Sequence, residues 1–249
     1  MSTAVVTGAS SGLGKEIARQ LHAQGYDVTI VARSEAALQE LASELTHVRI
    51  LVADLATPDG IALVSAEVGN TDLLVNNAGF GSLGNVADLA SGEMERMIAV
   101  NCVAVTTLTR AALPGMLARG RGAILNVAST AAFQPGPGMA TYYASKAYVL
   151  SFTEAVAEEV RGTGVSVTAF CPGAFSSGFF ATAHAESSRL AKYVPLPTSS
   201  KMATAALAAA KARKVVAIPG VMNKSGTWLV RFMPRMIVRR VVKFVQAQG

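Results

Sequence analysis

The chain has 249 residues, 51% of them hydrophobic and 15% charged, a balance that buries a sizeable core and excludes a disordered chain. Its net charge of +6 is uneven: residues 1–188 hold all 16 acids and 10 Lys/Arg, while residues 189–249 hold 12 Lys/Arg and no acid. A basic end on an acidic body points to a local anionic partner such as a membrane surface, and nucleic-acid binding is not expected.

Short apolar, β-branched runs at 4–6, 28–31, 48–52, 73–75, 123–127, 165–170 and 215–218 predict seven strands. They are apolar on both faces, as parallel strands buried under helices must be. Helical stretches at 13–24, 34–45, 58–68, 92–118, 142–161 and 199–212 separate them. The alternation predicts an α/β fold, a single-domain Rossmann-like doubly wound sheet of about seven parallel strands with helices on both faces.

Taken in chain order, the strand ends carry the chemistry. After the first strand comes Thr7-Gly8-Ala9-Ser10-Ser11-Gly12-Leu13-Gly14, where glycines let backbone approach a phosphate and the next helix offers it free N–H groups and a positive dipole end. A Walker A loop is excluded, because Ala9 and Glu16 stand where it needs Gly and Ser/Thr. After the second strand stands Arg33 with no acid beside it. A guanidinium there suits a 2′-phosphate and favours NADP(H) over NAD(H); the alternative is a solvated strand-end arginine. Asp54 and Leu55 follow the third strand, in reach of an adenine, and Asn77-Ala78-Gly79 follows the fourth.

Ser129 follows the fifth strand, and Tyr142 and Lys146 sit four apart on one helix face. A tyrosine with a pKa near 10 is a poor acid/base at neutral pH. A lysine at about 4 Å, with an effective dielectric near 20, contributes about 4 kcal/mol, equivalent to about three pKa units. Lys146 is therefore expected to pull Tyr142 down, while Ser129 hydrogen-bonds a carbonyl.

Thr7-Gly8-x3-Gly12-x-Gly14, Asn76-Asn77-Ala78-Gly79, Asn101, Ser129, Tyr142-x3-Lys146 and Pro172-Gly173 resemble the motif series of the classical short-chain dehydrogenase/reductase family. The likeness spans about residues 3–220. It implies hydride transfer between a nicotinamide and a ketone or secondary alcohol. Tyr142 would be the general acid/base, Lys146 the group that tunes it and holds the nicotinamide ribose, Ser129 the carbonyl anchor and Asn101 the holder of a relay water. The cofactor would lie along Gly8, Ser10, Ser11, Gly12, Leu13, Gly14, Arg33, Asp54, Leu55, Asn77, Ala78, Gly79, Tyr142, Lys146, Pro172, Gly173, Phe175 and Ser177. Tyr143, three residues before Lys146, is a bystander in this reading. A homodimer or homotetramer through the helices 92–118 and 142–161 is also implied. The other class of function is a dinucleotide-binding sensor or scaffold without turnover, and the intact tetrad argues against it.

Residues 174–200 form an irregular substrate loop; with a hydrophobic ketone or acyl-chain substrate, Phe175, Phe179, Phe180 and Met139 would line the pocket. Beyond residue 220, Arg231, Arg235, Arg239 and Lys243 recur at steps of four among apolar residues, with a break at Pro234. This basic amphipathic extension, 221–249, is expected to belong to the same domain as 1–220. It either packs on protein or lies on an anionic membrane. Cys102 and Cys171 read as buried free thiols rather than a disulfide or metal site. No secretory signal or run of about 18 apolar residues is found. A cytoplasmic protein, able to sit at the membrane periphery through its basic end, is the expectation.

Overall fold

A computed structural model describes residues 2–176 and 196–246; Ser177, Phe179 and Phe180 lie outside them. Among the described residues, seven strands pair in parallel: β1 (Thr3–Thr7), β2 (Asp27–Ala32), β3 (Val48–Val52), β4 (Leu73–Asn76), β5 (Gly122–Val127), β6 (Val165–Phe170) and β7 (Val216–Ala217). Their order is β3-β2-β1-β4-β5-β6-β7. The expected strands and helices between residues 3 and 217 are therefore present, with ends shifted by a few residues.

Alternation along each strand sends successive side chains to opposite faces, and both faces of the inner strands are buried, while the edge strand β3 leaves Arg49 and Val52 exposed. Val6, Ile30 and Val75 pack under α1 (Gly12–Ala23), α2 (Glu35–Glu44) and α6 (Ser199–Lys211) through Ile17, Leu38 and Ala203. Val5, Val31 and Leu74 pack under α3 (Pro58–Val68), the helix α4 (Glu93–Ala118) and α5 (Ala140–Glu159) through Val64, Leu108 and Val156. Wholly buried side chains such as Ile17 and Leu74 contribute about 1.5–3 kcal/mol each. Because β1 lies between β2 and β4, the connections leave it on opposite sides, and a crevice opens at the carboxyl ends of the strands.

Two features differ from the sequence expectation. The helix α4 is long and apolar enough to cross a membrane by length and composition; a count of strictly apolar residues missed it, because Asn101 and several threonines interrupt the run. Its buried side, including Met97, Ala104 and Leu108, packs into this domain. It also contains a π-helical turn, Ala99–Ala104, around Asn101.

The basic end forms two helices, α7 (Val221–Val230) and α8 (Arg235–Gln246). Pro234, lacking an N–H, separates them, and its carbonyl accepts the first bonds of α8 from Ile237 and Val238. Helix α7 begins ahead of the stretch where basic residues recur at steps of four from Arg231. Its inward side carries Thr227, buried, and Asn223, half-buried, so apolar periodicity does not announce it.

Candidate active site

The crevice is a cavity of about 690 Å³ that runs from the glycine loop past Ser129 and Tyr142 to α7 and α8. Gly8 and Gly12 have φ of 67° and 54°, the left-handed region that favours glycine. A Cβ on Gly8 would lie 2.8 Å from the Ala78 Cα, and one on Gly14 would strike the Gly8 carbonyl. Asn77 Nδ2 donates to the carbonyls of Thr7 and Gly8 at 2.9 and 3.2 Å. Thr7 Oγ1 accepts from the amides of Asn77 and Ala78, both at 3.0 Å. These bonds fix the exits of β1 and β4 against each other. Gly14 thus serves close packing and does not line the cavity, whereas Gly8, Ser10, Ser11, Gly12, Leu13, Asn77, Ala78 and Gly79 do.

Ser34, Thr57 and Thr198 cap their helices by side-chain hydrogen bonds, but Ser11 caps none of the amides of α1. The N-terminus of α1 therefore keeps free donors toward the cavity wall, as an anion site requires. Arg33 is exposed on the same wall and forms no ion pair with a described residue. Asp54 lies nearby with Leu55. Burial works against its charge, but the Ala56 amide at 2.9 Å, Arg96 at 3.2 Å and the more distant Arg33 outweigh that and hold its pKa below the usual value. Glycines shaped for close approach, an uncapped helix start and an unpaired guanidinium fit a phosphorylated dinucleotide.

At the other end of the cavity, Ser129 leaves β5 and starts a short 3₁₀ turn, Thr130–Phe133, by accepting from the Ala131 amide at 3.1 Å. Its side chain also hydrogen-bonds Tyr142. Tyr142 and Lys146 are both buried on α5, and the Lys146 Nζ stands 5.8 Å from the Tyr142 ring centre. A Cβ on Gly79 would come within 3.3 Å of that Nζ, so the glycine leaves room for the ammonium. Lys146 donates to the Val127 carbonyl at 2.8 Å.

The expected downward pull on Tyr142 is not what this geometry produces. Burial pushes the Tyr142 phenol up to about 12, against the opposing Ser129 hydrogen bond, and Tyr143 adds to the rise. Burial likewise brings Lys146 down to about 8. Both groups share one dry environment, where the cost of desolvating a charge outweighs the lysine's help. Tyr143, set aside from the acid/base chemistry, lines the cavity and meets Tyr142 edge-on, with ring centres 6.1 Å apart.

Asn101 lies behind the wall rather than on it. Its Nδ2 donates to the Phe80 carbonyl at 2.9 Å and to Ser145 Oγ at 3.0 Å, and its Oδ1 accepts from the Phe80 amide at 3.1 Å. Pro172, Gly173, Phe175 and Met139 line the cavity as expected. Cys171 is a buried free thiol as expected, but Cys102 is only half-buried.

The sequence reading missed the wall made by the basic end. Thr227, Val230, Val238 and Val242 line the cavity, and Asn223 lies so close to Gly173 that a Cβ there would strike it. Phe80, Leu83 and Gln134 complete it. The signal for Asn223 was its place four residues after Pro219, whose carbonyl it caps at 2.8 Å.

A family model described as short chain dehydrogenase matches residues 2–188. An uncharacterized oxidoreductase of Staphylococcus epidermidis is 36% identical over 175 residues, covering 68% of this chain and 76% of that protein. A short-chain dehydrogenase from Sphingobium yanoikuyae, solved in complex with NADPH, superposes with a TM-score of 0.83 at 29% identity, covering 94% of this chain and 97% of that one. A bulky-bulky ketone specific alcohol dehydrogenase from Comamonas testosteroni gives 0.80 at 26% identity, covering 94% and 96%.

Proposed function

The chain belongs to the short-chain dehydrogenase/reductase family, whose members are oxidoreductases of alcohol and ketone groups, and from that premise we propose that it is an NADPH-preferring reductase of hydrophobic ketones. One observation carries the reading: a single cavity is lined both by the free Arg33 and by Ser129, Tyr142 and Lys146. The structure solved with NADPH and the one named for bulky ketones are in keeping with it.

A nicotinamide cofactor held by the glycine loop, Arg33 and Lys146 would supply the hydride. Ser129 donates a hydrogen bond to the substrate oxygen, and Tyr142 gives that oxygen its proton. With its pKa pushed up to about 12 the phenol holds its proton at neutral pH, the form that donates in reduction. Lys146, mostly charged below its pKa of about 8, would hold the ribose of the cofactor. Both Nδ2 hydrogens of Asn101 are taken and its Oδ1 holds the Phe80 amide, so a relay water would need the second lone pair of Oδ1 or the main chain. Apolar residues of α7 and α8 on the same cavity favour a hydrophobic substrate and support reading 221–246 as part of one domain with the rest. A homo-oligomer through α4 and α5 is supported by the exposed Ile98, Val103 and Tyr148 on those helices.

The test is a titration of the purified protein with NADPH and NADH, followed by NADPH oxidation with a panel of bulky ketones. Tight NADPH binding and ketone-dependent oxidation support the proposal. A folded protein that binds NADPH yet turns over no ketone would instead favour the sensor reading.

A further inference from the structure

Helix α7 is amphipathic in the reverse sense. At 100° per residue, Val221, Met222, Ser225, Trp228 and Leu229 share one arc of about 120°, while Asn223, Thr227 and Val230 occupy the opposite side. The apolar arc faces outward: Val221 is 82% exposed, Met222 81%, Trp228 64% and Leu229 58%. The side carrying Asn223 and Thr227 faces the protein, with Thr227 only 7% exposed. Phe232 extends the outward face and packs on Trp228, ring centres 4.6 Å apart. On α8, Val238 and Val242 are buried while Ile237 and Val241 are exposed beside them.

Lys224, Arg231, Arg235, Arg239, Arg240 and Lys243 accompany this apolar surface, and 221–249 contains no acid. None of the six forms an ion pair with a described residue. A closed contact with a second copy would set the patch on itself, bringing six cations against six with no counter-charge. An anionic lipid surface supplies both partners at once, acyl chains for the Trp228 face and headgroups for the basic side chains.

We propose that α7 and α8 dock this protein on an anionic membrane surface, with Trp228, Leu229 and Phe232 inserted and the basic residues on the headgroups. The same helices line the cavity, Met222 and Val241 of the exposed side among the lining residues, so docking sets the cavity beside the lipid surface. Docking does not depend on the reductase reading, and its test needs no turnover.

The chain has a single tryptophan, which makes Trp228 its own reporter. Full-length protein is titrated with vesicles of phosphatidylcholine alone and with added phosphatidylglycerol, at low and high salt. The expected result is a blue shift of Trp228 emission with the anionic vesicles, weakened by salt. Arg235→Gln/Arg239→Gln, neither residue lining the cavity, is expected to bind those vesicles about 30-fold more weakly, at about 1 kcal/mol for each basic residue lost, with NADPH binding retained as the check on folding. Two results would overturn the proposal. One is no response to anionic vesicles at any salt; the other is a blue shift that follows protein concentration alone, which would give the face to a second copy.

Discussion

The cavity has two walls of different construction. The wall at the exits of β1 and β4 is set by main-chain geometry: left-handed Gly8 and Gly12, the tight approach of Gly14 to Gly8, and the Thr7 and Asn77 bonds that join the two loops. The wall from α7 and α8 rests on apolar packing, and the side-chain bonds of Asn223 and Thr227 stay within 219–227. The first wall has no freedom to adapt without breaking buried hydrogen bonds. The second can repack, since volume-conserving changes among apolar side chains cost little. A rigid cofactor wall facing an adjustable substrate wall lets one scaffold keep its chemistry while its substrate changes.

The sharpest way to break this division is to remove the phenol on the fixed side. Tyr142→Phe is expected to lower kcat by about 10²–10⁴-fold, the range for a positioned acid, while NADPH affinity changes little. Stopped-flow single turnovers and a fluorescence titration read the two quantities separately. Retained turnover would sink the proposed role of Tyr142.

Arg33→Ala tests cofactor choice on the same wall. Losing charge-assisted bonds worth about 1.5–3 kcal/mol should weaken NADPH by about 10–100-fold and leave NADH nearly unchanged. Equal weakening of both would make Arg33 a general surface charge rather than a 2′-phosphate contact.

Lys146 links activity to pH and to stability. Its pKa of about 8 lies below the ordinary 10.5, so the ammonium is lost as pH rises through 8, and reduction should fall about tenfold per pH unit above that. The sign for stability is opposite. Between about 8 and 10.5 the unfolded chain still holds the proton that the folded chain has released, so folding gains stability as pH rises through that window. At pH 7 the fold bears the cost of a buried charge, about 3 kcal/mol by the shift. Lys146→Met removes that cost but leaves the Val127 carbonyl without its donor, so a net gain of about 1–2 kcal/mol is expected alongside lost activity. Urea titrations at pH 7 and pH 10 check it; a destabilised variant at pH 7 would show that the lysine's hydrogen bond outweighs its burial.

What could be read from the sequence follows the same division. Gly8, Gly12, Asn77, Ser129, Tyr142 and Lys146 are recognisable because each sits at a fixed point on a strand end or helix turn, where one residue type meets one geometric demand. The strands were legible because their apolar, β-branched runs recur between helices, and in the inner strands both faces are mostly buried. The pKa of Tyr142 was not, because pair distance alone omits desolvation, and burial is a property of the packed site. Helix α7 escaped because its buried face carries Thr227 and Asn223 while its apolar side points outward, the reverse of the pattern that announces a packed helix.

Val238→Ala makes the smallest and most discriminating change, on the adjustable wall. Val238 is buried on α8 and lines the cavity, far from the Thr7 and Asn77 bonds in sequence. Its shortening removes apolar contact without disturbing any polar group. Losing two methyl groups from an apolar pocket, where each methylene-sized change is worth about 1–3 kcal/mol, gives at least about a 5-fold change in kcat/KM for a bulky ketone that fills the space, and much less for a small ketone that does not. The NADPH dissociation constant should stay put. Steady-state kinetics with a graded ketone series read this directly: a uniform loss across the series would mean that α8 supports the cofactor side as well, and the two walls would then have to be treated as one.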